Sequence, residues 1–385
     1  MSDEMGETRS EKQGAGRMKN ILSDELLKSR RNPRETDLRG DYFRDVTAII
    51  HSTPFRRLKH KTQAFYAPQN DHICTRIEHV LHVSTIATTI CRALHLDADM
   101  AQAISLAHDL GHAPFGHEGE RVLNGKTTAA GGFMHELHGL RVVDVLAREG
   151  KGLNLTYAVR DGLVSHCGES FEQKIYPLQE KKDLASLVDR GHMPSTYEGC
   201  VVRVADKIAY LGRDLEDAIT AKFITMEEVP PLVRAALGET NGQIIGTLVA
   251  DVVDESLGMD YIGFSDARME VIHRLYAFNK QRIYRHPRME RYRVFCQRII
   301  EGIFDYLLTL FSTHEWDIAP YRVGVIRLDA QFGSFLEGME SHYKAEGATP
   351  VRIVADYVAG MTDDYAIDCI KQITIPEPVD ISMYH

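Results

Sequence analysis

The sequence predicts an all-α protein, mainly helical with few short strands. Three observations support this class: most segments of the 385-residue chain have apolar residues at helical spacing, glycine and proline interrupt them sparsely, and alternating apolar–polar patterns are few. Hydrophobic residues make up 44% and charged residues 26% of the chain, as is ordinary for a globular protein. The length is ample for a large helical core.

Three helices are predicted in the first 225 residues. Val80–Leu94 has apolar residues on one wide face, which is typical of a helix packed against a core. Asp99–Leu110 continues as a second helix and breaks at Gly111 and Pro114. Gly199–Ala221 forms the third, because its valines, leucines and isoleucines recur at a helical period.

The rest of the chain repeats this helical pattern. Helices are predicted at about Ala267–Ile283, Glu290–Phe311 and Val351–Gln372, and Tyr321–Leu328 is the best candidate for a short strand. We find no internal repeat, no low-complexity linker and no obvious domain break after residue 40. The polar, Gly-containing N-terminus lacks the apolar segment of a secretory signal and is predicted to be a disordered leader.

Composition excludes several classes of protein. No run of about 18 apolar residues is present, so no membrane span is expected. Six scattered cysteines without C-x-x-C spacing argue against a zinc ribbon or a disulfide framework and indicate a reducing cytoplasm. A net charge of −10 opposes nonspecific binding to nucleic acid but allows a local basic pocket for a small polyanion.

Two acidic residues within apolar helices predict a shared cation. Asp109 follows His108 in AHDLGH (107–112), and Asp206 lies in ADKIAY (205–210) among valines and isoleucines. A single histidine is most often a satisfied core or surface residue, but burying a carboxylate is costly unless a cation or hydrogen bonds compensate it. Imidazole and carboxylate ligands suit Mn, Fe, Ni, Co or Zn, and they accept Mg with more water.

The order H…HD…D at His79, His108, Asp109 and Asp206 resembles the HD-domain metal phosphohydrolases. Longer motifs narrow the resemblance: FRRLKHKTQ (55–63), HDLGHAPFGHEGE (108–120), GLNLTY (152–157) and DYVAGMTD (356–363) are similar to the bacterial dGTP triphosphohydrolase family. These matches span most of residues 30–370. DKIAYLGRD (206–214) is also similar to the more distant vertebrate HD-domain dNTPase.

The resemblance implies a division of the chain and a set of metal ligands. We expect a disordered leader at residues 1–25, an HD-domain catalytic core at 26–225, and a helical C-terminal part at 226–385 packed on the core without a clear linker. His79, His108, Asp109 and Asp206 are expected to bind the divalent metal.

The reaction that the resemblance implies converts a dNTP to a deoxynucleoside and tripolyphosphate, the work of a phosphoric monoester hydrolase. Metal-activated water attacks the α-phosphorus, and the 5′ oxygen leaves with a proton from a general acid. The family's acid pair corresponds to His117 and Glu120, with His117 as the donor and Glu120 orienting it. His135 matches a further active-site histidine.

Cations close to the expected ligands could neutralise the triphosphate. Arg76, His112 and Lys207 lie within a few residues of them. Arg76 and Lys207 also match phosphate-contacting positions of the distant relative. Taken singly, a lysine beside an aspartate is usually a solvated surface residue, so the assignment depends on the resemblance.

Sugar-binding residues are predicted from helical spacing. Spacings of 4, 4 and 3 place four residues on one helical stripe: Asp206, Tyr210, Asp214 and Asp217. Asp214 could then accept a hydrogen bond from a 3′ hydroxyl, while Tyr210 excludes a 2′ hydroxyl. Gln63 matches the family position that also binds the 3′ hydroxyl, and Tyr284 is a candidate base or sugar contact. Asp217 is equally well explained as a polar surface residue.

Four positions depart from the family pattern. His82, Glu136, His138 and Arg213 replace the usual Glu, Asn, Gln and His. The expected metal ligands remain complete, whereas the nucleobase preference stays open between dGTP specificity and a broad dNTPase. His82 could support a ligand or lie on the surface, and the sequence favours neither.

Two other functions remain as alternatives: an HD-type nucleotidase or phosphodiesterase acting on another nucleotide, and a nucleotide-sensing or nucleic-acid-binding regulator. A complete ligand set together with an acid pair favours catalysis, because binding alone requires no acid. Family members assemble as dimers or hexamers and some are activated by dNTPs. The resemblance therefore implies a cytoplasmic homo-oligomer with a dNTP effector.

Overall fold

A computed structural model describes residues 18–65, 72–167 and 172–375. The described residues fall into two compact units that interleave in sequence. The first contains those up to Gly111 together with Met134–Arg291, and the second contains His112–Phe133 and those from Tyr292 onward. The expected division between residues 225 and 226 stays a prediction.

Seventeen α-helices are present in the described part of the chain, and they confirm the predicted all-α class. In chain order, α1 to α17 are Asp24–Leu27, Asp41–Ile50, Thr53–Arg57, Arg76–Ala93, Ala98–Ala107, Gly116–Thr127, His135–Arg141, Tyr157–Val164, Tyr197–Thr220, Pro231–Leu237, Asn241–Ser256, Asp266–Asn279, Pro287–His314, Ala319–Arg322, Arg327–Glu346, Pro350–Ala359 and Asp363–Thr374.

Short elements complete the fold. Short 3₁₀ segments occupy Leu58–His60, Thr128–Ala130, Leu184–Ser186 and Met226–Glu228, and π-helical turns occupy Val142–Leu146 and Lys280–Tyr284. Strands β1 (Lys174–Ile175) and β2 (Ile262–Gly263) pair antiparallel, with Ile175 opposite Ile262.

The first unit is built around α4, α5 and α9. Helix α4 packs against both α5 and α9, α5 also contacts α2 and α8, and α9 also contacts α8 and α11. Fully buried residues such as Val80, Ile104, Val204 and Ile208 form its core. These three central helices are the ones predicted from apolar periodicity. Because their apolar faces pack together, the few polar residues on those faces are buried inside this unit.

The second unit buries an aromatic cluster. Phe332 lies 6.0 Å from Tyr321 and 5.0 Å from Tyr357 between ring centroids. Helix α6 packs on α16, and α15 packs on α14, α16 and α17. Glu118 of α6 pairs with Arg293 of α13 at 2.7 Å.

Two sequence predictions in the C-terminal part were wrong. Tyr321–Leu328 forms no strand: the exposed Val323 and Val325 bury no common face, and Asp329 accepts a hydrogen bond from the Ile326 amide at the start of α15. Val351–Gln372 is two helices, because Thr362 accepts a hydrogen bond from the Tyr365 amide and starts α17.

Of the leader expected at residues 1–25, residues 1–17 lie outside the described part of the chain. Within residues 18–25, the Asn20 side chain donates to Glu198 at 2.7 Å and accepts from the Tyr197 amide at 2.9 Å. Among the described helices, none combines the length and apolarity that a bilayer crossing requires.

Candidate metal centre

His79 lies in the first turn of α4. The start of this helix is stabilised by Glu78, whose carboxylate accepts a hydrogen bond from the Thr75 amide at 2.7 Å. The buried His79 Nε2 is 2.9 Å from Asp206 Oδ1 and 3.8 Å from Asp109 Oδ2. Burial opposes protonation of the ring, but the hydrogen bond and charge of Asp206 outweigh it, so the pKa of His79 is raised above its usual 6.5.

His108 and Asp109 directly follow α5. His108 Nδ1 donates to the Ser105 carbonyl at 2.6 Å, which leaves the lone pair on Nε2. This Nε2 lies 3.5 Å from Asp109 Oδ1 and 3.8 Å from Asp206 Oδ1. It is buried and has no hydrogen-bond partner in the described part of the chain. An acceptor held in place and left unpaired among carboxylates is the arrangement that a cation would complete.

Asp206 projects from α9, about two and a half turns after its start at Tyr197. Burial raises its pKa, but the hydrogen bond from His79 and the charge of that ring reverse the effect and lower the pKa of Asp206 to about 2. The group is therefore a carboxylate at neutral pH. A charged oxygen so placed supplies a strong ligand for a divalent ion.

The residues present fit a divalent metal ion. The donor atoms of His79, His108 and Asp206 lie within 4.8 Å of one another, and Asp109 is adjacent to both histidines. The structure thus brings together all four ligands that the sequence predicts, from α4, the end of α5 and α9. Two imidazoles and two carboxylates form a mixed nitrogen and oxygen set that suits a transition metal.

Arg76 lies beside this group. Its Nη1 donates to Asp109 Oδ2 at 2.7 Å and its Nε donates to the Thr62 carbonyl at 3.2 Å. Both partners of the ion pair are almost fully buried. Arg76 therefore holds the Asp109 carboxylate in place, and its expected phosphate contact stays a prediction.

Lys207 contacts an acidic residue that the sequence did not single out. Its Nζ lies 2.5 Å from Glu172 Oε2, and Arg203 pairs with the other oxygen of the same carboxylate. Burial lowers the pKa of Lys207, although Glu172 opposes that change. The pairing joins residues 35 positions apart, which no local motif could reveal.

The predicted sugar contacts Asp214 and Tyr284 meet directly. Tyr284 Oη donates to Asp214 Oδ2 at 2.6 Å. Burial raises the pKa of Tyr284 and of Tyr210, so both phenols stay protonated. Gln63 is half-buried, and its Oε1 has no hydrogen-bond partner within the described ranges.

His112, His117 and Glu120 belong to the second unit. His117 Nδ1 is 3.3 Å from Glu120 Oε2, and the rings of His112 and His117 stand edge to face at 5.2 Å. The His117 side chain is 74% exposed, whereas that of Glu120 is 8% exposed. The pair therefore consists of an exposed imidazole that contacts a buried carboxylate at one nitrogen.

His135 is the first residue of α7. It contacts His166 and Cys167, two residues after α8 that the sequence analysis missed. Its Nε2 is 3.3 Å from His166 Nε2 and 3.1 Å from Cys167 Sγ. Burial lowers the pKa of His166 to about 3, so this ring is neutral at pH 7. His166 lies just past an apolar helix in no motif that the sequence analysis singled out.

Two polar residues, His82 and Asp217, have no evident catalytic role. Burial and the charge of Arg213 lower the pKa of the half-buried His82. Asp217 accepts a hydrogen bond from the Cys74 amide at 3.0 Å and pairs with Arg213 at 3.0 Å. Asp217 therefore stabilises the chain segment that leads into α4.

Comparisons with known proteins identify the family of this chain. Residues 76–211 match the HD domain, and residues 325–372 match a phosphohydrolase-associated domain. A deoxyguanosinetriphosphate triphosphohydrolase-like protein of Caldanaerobacter subterraneus is 38% identical over 93% of this chain and 94% of its own. Proteins of the same description from Desulfatibacillum aliphaticivorans and Clostridium tetani are 38% and 32% identical, over 91% and 90% of this chain and 93% and 88% of theirs. The chain therefore belongs to the deoxyguanosinetriphosphate triphosphohydrolase-like family of HD-domain, metal-dependent phosphohydrolases.

Proposed function

We propose that this protein hydrolyses deoxynucleoside triphosphates to a deoxynucleoside and tripolyphosphate. The observation that supports this most directly is the convergence of His79, His108, Asp109 and Asp206, with the unpaired His108 Nε2 directed towards the carboxylates. The description of its relatives as deoxyguanosinetriphosphate triphosphohydrolase-like proteins supports the substrate class.

The metal is a divalent ion held by these four residues, drawn from Mn, Mg, Fe, Ni, Co and Zn. When bound, such an ion acidifies water and withdraws charge from a phosphate oxygen. The protein orients two of its own ligands: Ser105 fixes the His108 ring, and Arg76 fixes the Asp109 carboxylate. Both contacts hold these side chains in place, so that metal binding requires less rearrangement of them.

His117 donates a proton to the departing 5′ oxygen. Its Nδ1 faces Glu120, so the Nε2 proton is the one available to the leaving group. Glu120 orients the ring at Nδ1, and a positioned acid of this kind contributes about 10²- to 10⁴-fold in rate. His135 supports the same reaction as a further active-site histidine.

Arg76, His112 and Lys207 neutralise the triphosphate. Lys207 pairs with the Glu172 carboxylate. A phosphate group of the substrate would take the place of that carboxylate beside the buried ammonium. Because burial favours the neutral form of Lys207, its ammonium requires an anionic partner both with and without bound triphosphate. Exchange of Glu172 for phosphate thus meets the electrostatic need of this site.

Gln63, Tyr210, Asp214 and Tyr284 bind the deoxyribose. Tyr284 donates to one oxygen of Asp214, and a carboxylate can accept several hydrogen bonds, so Asp214 can also accept from a 3′ hydroxyl. Tyr210 lies one turn earlier on α9 and limits the space for a 2′ hydroxyl. The nucleobase preference stays open between dGTP and all four dNTPs.

The remaining sequence predictions also stay proposals. The protein is a cytoplasmic homo-oligomer, a dimer or hexamer, with a dNTP effector, a catalytic core at residues 26–225 and a helical C-terminal part at 226–385.

The test is product analysis of the full chain by phosphorus NMR, with Mn or Mg and each dNTP alone and in pairs. We expect tripolyphosphate as the phosphorus product, its loss in Asp206→Asn, and its retention in Glu216→Gln, an exposed position on the same helix. Pyrophosphate or monophosphate as the product would replace this function by a nucleotidase or pyrophosphatase. Absence of turnover in every combination would favour a regulator.

A further inference from the structure

The motif DYVAGMTD (356–363) has no part in the function proposed above, yet its last residue contacts the segment that carries the acid pair. Asp363 Oδ1 accepts a hydrogen bond from the Phe115 amide at 2.8 Å. Both residues are almost fully buried. The contact joins positions 248 residues apart, and both belong to the second unit, as do His117 and Glu120. One hydrogen bond therefore links two motifs of the sequence.

Phe115 precedes α6 and has an unusual backbone conformation. Its φ is 64° and its ψ is 21°, in the left-handed region, where a β-carbon crowds the following carbonyl oxygen. A residue other than glycine stays in this region only when its surroundings hold it there. The hydrogen bond to Asp363 fixes the plane of the peptide between Pro114 and Phe115, and that plane determines φ of Phe115. Asp363 therefore stabilises a backbone turn that the residue type disfavours.

The turn at Phe115 sets the direction in which α6 starts. The apolar side chain of Phe115 cannot cap the helix with a hydrogen bond, as a serine or aspartate would. The preceding loop lies directly on the first turn of α6, because a β-carbon at Gly119 would overlap the Pro114 carbonyl oxygen. His117 is the second residue of α6, and Glu120 follows three residues later on the same face. The backbone at Phe115 therefore decides where both members of the acid pair lie.

Glu118 provides a second anchor for this turn of α6. Its Oε1 accepts a hydrogen bond from Arg293 Nε at 2.7 Å, and its Oε2 accepts one from Arg121 Nε at 3.2 Å. Both arginine side chains are partly exposed to solvent, which weakens an ion pair. The contact of Asp363 with the backbone is buried and charge-assisted, so it is the stronger of the two anchors.

Capping of α17 does not account for the Asp363 carboxylate. Thr362 already caps this helix, because its side chain accepts a hydrogen bond from the Tyr365 amide. Asp363 is the first residue of α17, a position where the helix dipole stabilises a negative charge. The start of α17 thus supplies a fixed carboxylate that is directed to the Phe115 amide in another segment of the chain.

We propose that Asp363 is a positioning residue for the acid pair and acts through the Phe115 amide. It holds the first turn of α6 in the orientation that presents His117 Nε2 to the departing 5′ oxygen. This inference rests on the proposed function, in which His117 gives its proton to that oxygen as the bond to the α-phosphorus breaks. Asp363 itself transfers no proton.

A substrate whose leaving group needs no proton tests this role. Replacement of the bridging 5′ oxygen of a dNTP by sulfur makes the leaving group a thiolate, which is a much weaker base than an alkoxide. His117→Ala should lower kcat for the ordinary dNTP by about 10²-fold or more, and far less for the sulfur analogue. Asp363→Ala should show the same pattern with a smaller loss of about tenfold, because the acid is displaced and not removed.

Two further variants separate positioning from general destabilisation. Asp363→Asn keeps an oxygen that can accept from the Phe115 amide, so it should recover most of the lost kcat. Asp329→Ala is the matched control, because Asp329 is equally buried in the second unit and also accepts a backbone amide before a helix, that of Ile326. The control should leave the ratio of kcat for the sulfur analogue to kcat for the ordinary dNTP at the value of the unmodified chain.

Hydrogen exchange followed by mass spectrometry gives a readout that requires no turnover. The peptide that contains Phe115 and His117 should exchange about tenfold faster in Asp363→Ala, because the Phe115 amide loses its hydrogen bond to a charged group. The same peptide should exchange at the unmodified rate in Asp329→Ala. Circular dichroism shows that the variants are folded.

Unchanged exchange of this peptide in Asp363→Ala would overturn the positioning role, as would equal losses of kcat with both substrates. Equal losses in His117→Ala would instead remove the acid from the proposed function, and absence of tripolyphosphate with the unmodified chain would remove that function altogether. In either of these two cases the inference falls with it, and faster exchange in Asp363→Ala would then identify Asp363 as a structural residue of the turn.

Discussion

The guanidinium of Arg76 donates to the Asp109 carboxylate at 2.7 Å, and both side chains are almost fully buried. A buried ion pair contributes little net stability as a pair, but removing one partner leaves an uncompensated charge. Arg76 therefore supplies a fixed positive charge to Asp109, beside the position that we assign to a metal ion.

Arg76→Gln should lower the free energy of unfolding of the metal-free protein by about 3–5 kcal/mol, because Asp109 is left buried without its countercharge. Saturating Mn²⁺ should restore part of the loss by supplying another cation. Urea unfolding with and without Mn²⁺ measures both effects. Arg92→Gln, an exposed position on the same helix, should change little. An equal loss in both conditions would show that Asp109 does not contact the ion.

Metal affinity should increase with pH because of His79. Its pKa lies above 6.5, so the ring still holds a proton where an ordinary histidine has lost it. Binding must displace this proton, and affinity should therefore rise about tenfold per pH unit below the pKa of His79 and level off above it. Mn²⁺ binding measured by electron paramagnetic resonance across this range gives the slope.

His82→Gln is the control for that slope. Burial and the charge of Arg213 lower the pKa of His82, so this ring is already neutral where His79 titrates. The variant should keep the same dependence of affinity on pH. A Mn²⁺ affinity that does not vary with pH in the unmodified protein would contradict a ligand role for His79.

Tyr284→Phe should reduce kcat/KM for dNTPs by about tenfold or more, because a hydrogen bond to a charged group contributes about 1.5–3 kcal/mol. The variant leaves Asp214 without the donor that orients it. Steady-state kinetics give the change. Tyr306→Phe removes an equivalent hydrogen bond, to Asp329 at 2.7 Å in the second unit, and should leave kcat/KM unaltered. Equal effects of both variants would indicate general destabilisation rather than sugar binding.

Glu172→Gln should lower KM for dNTPs about three- to tenfold, with kcat nearly unchanged. The neutral amide competes less well with a triphosphate for Lys207 and Arg203 than the carboxylate does. KM measured at fixed ionic strength tests this, with the exposed Glu180→Gln as control. A raised KM would mean that Glu172 positions Lys207 instead of competing for it.

The helices of the first unit could be predicted because their burial follows local periodicity. Val201, Val204 and Ile208 recur on one face of α9, and the same spacing identified α4 and α5. The two errors occurred where periodicity is weakest. The exposed Val323 and Val325 imitate a strand, and the Thr362 cap divides a helical pattern that is otherwise continuous.

The sequence by itself determined the helical class, the family, and the four candidate ligands His79, His108, Asp109 and Asp206. Asp109 and Asp206 are identified by an acidic side chain in an apolar run, and His79 and His108 by the order H…HD…D that the resemblance supplies. Only the tertiary structure decided that Glu172 meets Lys207, that Tyr284 meets Asp214, and that His135 meets Cys167. These contacts join segments far apart in the chain, and their geometry depends on how helices pack, which local spacing does not specify.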